Sequence, residues 1–215
     1  MIEELLKRGV LKFGEFRLKS GRLSPYFFNV AALNDGAGLR LVADAFTELI
    51  FKERLHEQFD VILGAAYKGI PLAAAIVLSL AERGVNKRFA YDRKEVKSYG
   101  DAADHLFVGN IRNGDRILLV DDVITSGETK LKLVEQLKNV ADVKVAALLI
   151  FFDREETTDR SGISAVEVLE RHGIRVYSVL QASKVFKELR AVGKLEDENF
   201  ARIKEYFEKY GCVRL

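Results

Sequence analysis

The chain has 215 residues, 48% hydrophobic and 31% charged, with a net charge of +2; that is enough for one good-sized core and too near neutrality to argue for nucleic acid. One cysteine cannot form an internal disulfide, and three scattered histidines, His56, His105 and His172, do not make a zinc site. The longest apolar stretches, 72–81 and 145–152, are about half of a membrane span, and "MIEELLKRG" lacks a signal peptide's basic start and apolar run, so no membrane partner is expected; the single cysteine fits a reducing, cytoplasmic setting.

In chain order, a short helix with Ile2, Leu5 and Leu6 on one face leads into "FGEFRLKSGRLSPYFFNV", which reads as a hairpin around Ser20-Gly21-Arg22. A helix over about 37–55 follows, its buried stripe made of Leu39, Val42, Ala43, Phe46 and Ile50. The run 60–64 predicts a strand, 71–82 an apolar helix, 87–92 a strand, and 93–115 a long loop. Residues 116–122 predict a strand and 128–140 a helix, with Leu131, Leu133, Val134, Leu137 and Val140 at helical spacing. A strand at 144–153, a helix near 165–172, a strand at 175–181 and an amphipathic helix at 196–210 complete the chain. Strands that begin about every 27–31 residues and are apolar throughout predict βαβ units, with a parallel sheet covered on both faces.

The stretch "ILLVDDVITSGET" at 117–129 carries the chemistry. Ligands of open parallel sheets sit beyond the carboxyl ends of the strands, and Asp121 and Asp122 stand at such an end. A nucleotide triphosphatase would need a phosphate loop, but "GAAYKGIP" at 64–71 continues Ile70-Pro71 where Lys and Ser/Thr are required. No strand is followed by G-x-G-x-x-G, which removes the dinucleotide reading. A third reading uses the whole stretch. Two carboxylates accept hydrogen bonds from a ribose diol, and the backbone N–H groups and hydroxyls of 125–129 at a helix N-terminus cradle a phosphate. The plainer alternative, in which Asp122 caps a turn and Thr125 and Ser126 cap the helix, leaves a second acid at a buried strand end unexplained.

That stretch resembles the 5-phosphoribosyl-1-diphosphate (PRPP) signature of the type I phosphoribosyltransferase family. The motifs "FGEFRLKSGRLSPYFFN", "GAAYKGIPLA", "YDRKEVKSYGD" and "FDR" are similar, in order and spacing, to the orotate-using branch of that family, and the likeness covers nearly the whole chain. The resemblance implies one α/β domain over 1–215: an N-terminal hood over about 1–35, and a core with a mostly parallel sheet flanked by helices, with a mobile loop near 93–110. It implies phosphoribosyl transfer from PRPP to orotate with Mg²⁺, in pyrimidine biosynthesis, by a homodimer with shared active sites.

The resemblance assigns PRPP contacts to Lys19, Tyr67, Lys68, Arg93, Lys94, Lys97 and the run Asp121, Asp122, Val123, Ile124, Thr125, Ser126, Gly127, Glu128 and Thr129. Arg93, Lys94, Lys97, Tyr99 and Asp122 are its catalytic residues; orotate falls to Phe27, Phe28, Thr125 and Arg154. Mg²⁺ is expected to ride mainly on PRPP, directly or through water near Asp121 and Asp122, without a protein cage. Phe27 and Phe28, being adjacent in a strand, must point to opposite faces, so one can be core while the other, or the backbone, meets the base. Arg154 offers a planar fork for a carboxylate beside a flat ring. Tyr99 stands where the family usually has histidine, and His105, in the longer continuation "GDAADHLFVG", is either its stand-in or an unrelated surface residue. A purine phosphoribosyltransferase and a non-catalytic regulatory protein on the same fold are the rival readings.

Overall fold

The apolar runs of the central strands alternate between two cores. In β3 (Val61–Gly64), β6 (Arg116–Asp121) and β7 (Lys144–Asp153), residues Ile62, Leu118, Val120, Leu149 and Phe151 point into one core, and Val61, Leu63, Ile117, Leu119, Leu148 and Ile150 into the other. This two-sided burial is why the strands read as continuous hydrophobic segments. The computed structural model describes residues 1–94, 106–158 and 162–215.

Among these residues the main sheet has the order β5-β4-β3-β6-β7-β8, with β4 spanning Arg88–Asp92, β5 Phe107–Val108 and β8 Val176–Gln181. All pairings are parallel except β4 with β5. Helices α2 (Gly36–Lys52) and α3 (Gly69–Glu82) cover one face together with α6 (Ala182–Ala191) and α7 (Asp197–Tyr210). Helices α4 (Glu128–Val140) and α5 (Ala165–Arg171) cover the other. Among the described residues no helix is long and apolar enough to cross a membrane.

The N-terminal part forms α1 (Ile2–Lys7) and an antiparallel hairpin of β1 (Leu11–Arg17) and β2 (Leu23–Phe28), irregular between Phe13 and Phe16. The hairpin is held on the first core by aromatic packing. Tyr26 meets Phe186 edge-on at 4.8 Å, and Phe28 stacks on Phe152 at 4.2 Å. Burying each ring is worth about 1.5–3 kcal/mol.

Several boundaries differ from the sequence reading. Helix α3 starts at Gly69, two residues before Pro71, because a first-turn proline lacks only an N–H that has no partner within the helix anyway. Helix α2 stops at Lys52, and Leu55 opens a separate 3-10 turn after Arg54, whose φ of 52° breaks the helix. Asp122 lies just past the end of β6. The segment read as one long loop contains β5, and α6, unread in the sequence, follows β8 directly with Ala182, Val185, Phe186 and Leu189 buried.

Candidate active site

The loops after β3 and β6 meet at the acid pair, and those after β4 and β7 leave the same end of the sheet. The β6 loop runs from Asp121 to Gly127, whose φ of +79° turns the chain into α4. Glycine is suited to this turn: its φ is one that L side chains resist, and a Cβ would stand 3.3 Å from the carbonyl of Ala165. The N-terminus of α4 has no side-chain cap from Gly127, and Thr125 and Thr129 are exposed beside it. The side chains of Val123 and Ile124 pack into the two cores, which leaves only their backbone for a ligand.

Each acid is held by a lysine. Lys68 Nζ lies 2.7 Å from Asp122 Oδ2 and is half exposed, whereas Lys130 contacts Asp121 Oδ2 and is buried. Burial pushes the Asp121 carboxyl above its ordinary value, against the opposing pull of Lys130. Sequence reasoning missed Lys130. Its signal was available: position 130 falls on the stripe of Leu133, Val134 and Leu137, where a lysine needs a partner.

The loop after β3 reaches this pair through a close backbone approach. A Cβ on Gly64 would stand closer than 3.0 Å to the carbonyl oxygen of Gly69, and one on Gly69 equally close to that of Val120. Neither glycine has positive φ, so the reason for glycine here is proximity rather than an unusual backbone shape. Asp92, at the end of β4, accepts from Ala66 N at 2.5 Å and ties this loop to the strand that leads into Arg93 and Lys94. Tyr67 is 64% exposed, and Lys94 Nζ sits 4.7 Å from its ring centre. Lys97, Tyr99 and His105 lie outside the described residues.

Lys19 is exposed in the hairpin turn. The adjacent phenylalanines do point apart: Phe27 is outward and stacks on Phe16 at 5.4 Å, while Phe28 is committed to the core. Phe28 can therefore serve a ligand by its backbone and not by its ring.

Arg154, just past the end of β7, is buried rather than open. Its Nε donates to Glu156 Oε1 at 2.7 Å, its Nη2 lies 2.6 Å from the same oxygen and donates to Ser24 Oγ at 3.0 Å, and the guanidinium covers Tyr26 at 4.2 Å. Burial alone would lower its pKa, but Tyr26 and Glu156 hold it above the ordinary arginine value. These partners, Ser24, Tyr26 and Glu156, were also missed, because three residues brought together from β2 and the β7 loop leave no spacing signal.

The phosphoribosyl transferase domain family matches residues 29–182. The orotate phosphoribosyltransferase of Acinetobacter baumannii is 39% identical over 211 residues, covering 98% of this chain and 94% of that protein. That of Yarrowia lipolytica is 37% identical, covering 95% and 92%. The crystal structure of the Francisella tularensis orotate phosphoribosyltransferase superposes with a TM-score of 0.84 at 38% identity, covering 98% of each chain. With this α/β core and these matches, the chain belongs to the phosphoribosyltransferase family, in its orotate phosphoribosyltransferase branch.

Proposed function

We infer that the chain transfers the 5-phosphoribosyl group of PRPP to orotate, giving orotidine 5′-phosphate and pyrophosphate in pyrimidine biosynthesis. The observation that carries this is the β6 end: two acids, a glycine turn, and an uncapped helix N-terminus in nine consecutive residues, 121–129. In this reading Asp121 and Asp122 accept from the ribose hydroxyls, and the 125–129 segment takes the 5′-phosphate. Breaking the bond at the anomeric carbon builds positive charge on the ribose ring and negative charge on the departing pyrophosphate. Lys68, Arg93 and Lys94, around the β3 and β4 loops, supply cations on that side, and the resemblance adds Lys97, Tyr99 and Lys19. Arg154 answers the orotate carboxylate, with Thr125, Phe27 and the Phe28 backbone beside the base.

Mg²⁺ belongs to the same proposal. Among the described residues no three acidic, histidine or cysteine side chains gather as a cage, and both acids here already hold lysines. Such a donor set suits a cation brought by the diphosphate of PRPP, with Asp121 and Asp122 as neighbours. When bound, the ion draws charge from the leaving group. A homodimer whose loop cations reach the partner's site, and a cytoplasmic setting, complete the proposal on the strength of the resemblance.

The test is pyrophosphate release from PRPP with orotate, hypoxanthine or adenine, each with Mg²⁺ or excess chelator. Release with orotate alone, abolished by chelator, is expected. Release with a purine but not orotate would overturn the substrate, and undiminished release in chelator would overturn the metal. For the dimer, mixing inactive Lys97→Ala and Asp121→Asn/Asp122→Asn chains should restore activity to roughly a quarter of wild type; no recovery after verified subunit exchange would remove the shared site.

A further inference from the structure

The cluster around Arg154 contains a carboxylate that neither the motifs nor the family resemblance assigns. Oxygen Oε1 of Glu156 receives Arg154 Nε at 2.7 Å, lies 2.6 Å from Arg154 Nη2, and accepts from the Tyr26 hydroxyl at 3.2 Å. The other oxygen lies 3.5 Å from Arg22 Nη1. Ser24 donates its hydroxyl to the Tyr26 carbonyl at 2.7 Å and so accepts the second Nη2 proton of Arg154. One edge of the guanidinium, one face, and three of its five N–H groups are thereby fixed by the fold. Nη1 is left outside these bonds; the Tyr206 hydroxyl also stands near the guanidinium, and the Arg154 side chain keeps a tenth of its surface open.

We propose that Glu156 is a positioning residue for the substrate carboxylate: it clamps Arg154 by its Nε–Nη2 edge so that Nη1 is presented to the ligand. This rests on the reading of Arg154 as the orotate carboxylate partner. An arginine side chain has several rotatable bonds; without Glu156 it would have to be ordered by the substrate itself, at a cost in affinity. Because all of Arg154's contacts with Glu156 go to one oxygen, an amide oxygen in the same place can keep them. Glu156→Gln therefore separates the clamp from the charge.

The experiment measures KM for orotate and for PRPP, and kcat, in Arg154→Met, Glu156→Ala and Glu156→Gln, with thermal unfolding of each. Glu156→Ala should raise the orotate KM roughly ten- to a hundredfold. Its PRPP KM should stay within about twofold, and Glu156→Gln should recover most of the loss. Arg154→Met should raise the orotate KM at least as far. If Arg154→Met weakens orotate binding but Glu156→Ala does not, the clamp is refuted and the Arg154 reading stands. If Arg154→Met leaves the orotate KM unchanged, that reading itself fails and the proposal with it. A parallel rise in both substrates' KM for Glu156→Ala and Glu156→Gln alike would mark a merely structural role and also refute the clamp. If Glu156→Ala does not fold, Glu156→Gln decides: an orotate KM raised as far as in Arg154→Met refutes the amide-oxygen argument, and one near wild type supports it.

Discussion

The two acids at the end of β6 are each paired to a lysine, and the pairs differ in one variable that sets their energetic weight. Lys130 and Asp121 have side-chain exposures of 9% and 14%, while Lys68 is 47% exposed against 9% for Asp122. Replacing Lys130 by Met keeps its length and apolar stem but leaves a largely buried carboxylate facing an apolar side chain in place of its cation. Removing one partner of such a buried pair costs about 3–5 kcal/mol. Replacing Lys68 by Met should cost about 1 kcal/mol or less, because its ammonium already stands half in water and water can take its place on Asp122. The Lys130→Met variant has a second signature. Burial already raises the Asp121 carboxyl, and losing Lys130 raises it further. A carboxyl raised by folding stabilises the fold at low pH and loses that contribution as pH rises through its folded value. The deficit should therefore be small near pH 4 and grow toward pH 7.5. Urea unfolding of wild type, Lys130→Met, Lys68→Met and Lys130→Met/Asp121→Asn at pH 4.5 and 7.5 measures all of this. The double variant should regain most of the loss, since its buried charge is gone. Equal costs for the two single variants, or a Lys130→Met deficit independent of pH, would refute the reasoning.

Three further substitutions or reactions test other contacts of the fold. Gly64→Ala must push its methyl against the carbonyl of Gly69, and should cost about 1–3 kcal/mol and lower PRPP affinity by moving the loop that carries Lys68; a Kd and stability both unchanged would show that the close approach relaxes freely. Asp60 accepts from Arg116 N, Nε and Nη2 at 3.0, 3.0 and 2.8 Å, which holds its carboxyl well below the usual range, so Asp60→Asn should cost about 1 kcal/mol at pH 7 after allowance for solvent screening. A depressed carboxyl stabilises above its unfolded value, so the gap between Asp60→Asn and wild type should narrow below about pH 4; a gap that widens on acidification would contradict the pair. The Cys212 thiol, though its residue reaches solvent, is pushed up to about 11 by partial burial and by Asp153 and Glu155, so its alkylation at pH 8 should run roughly a hundredfold slower than that of an ordinary cysteine, and an ordinary rate would show the thiol to be unshielded.

The parts of the fold legible in the sequence were those fixed by local periodicity. Strands covered on both faces have no polar side to interrupt them, so 61–64, 116–121 and 144–153 stood out as runs; α4 and α7 showed their stripes because their outer faces are charged. Helix α6 was legible by the same rule, at 182, 185, 186 and 189, but lies directly against β8 with no turn residues to announce it. The acid pair and the glycine turn were legible because they are consecutive. Their ion pairs were not: Lys68 meets Asp122 only once β3 and β6 lie side by side, and Lys130 meets Asp121 only once the turn at Gly127 folds α4 back on the end of β6.

Arg154 shows where reading residue by residue stops. From the sequence it is a cation at a strand end, and a carboxylate ligand is a fair expectation for it. What it can offer a ligand is decided by Ser24 and Tyr26, far earlier in the chain, and by Glu156 two positions later, which together occupy one edge and one face of its fork. A lone arginine in water could meet a carboxylate by either edge. This one has its Nε–Nη2 edge taken by Glu156 and Ser24, which leaves Nη1 outside those bonds. The hairpin that supplies Ser24 and Tyr26 is held on the core by Tyr26 against Phe186 and Phe28 against Phe152. The N-terminal hairpin thus does more than cover the core. Its packing fixes how Arg154 faces a ligand, so loosening it from the core side, as in Phe186→Ala, should weaken orotate binding without altering any residue of the site itself.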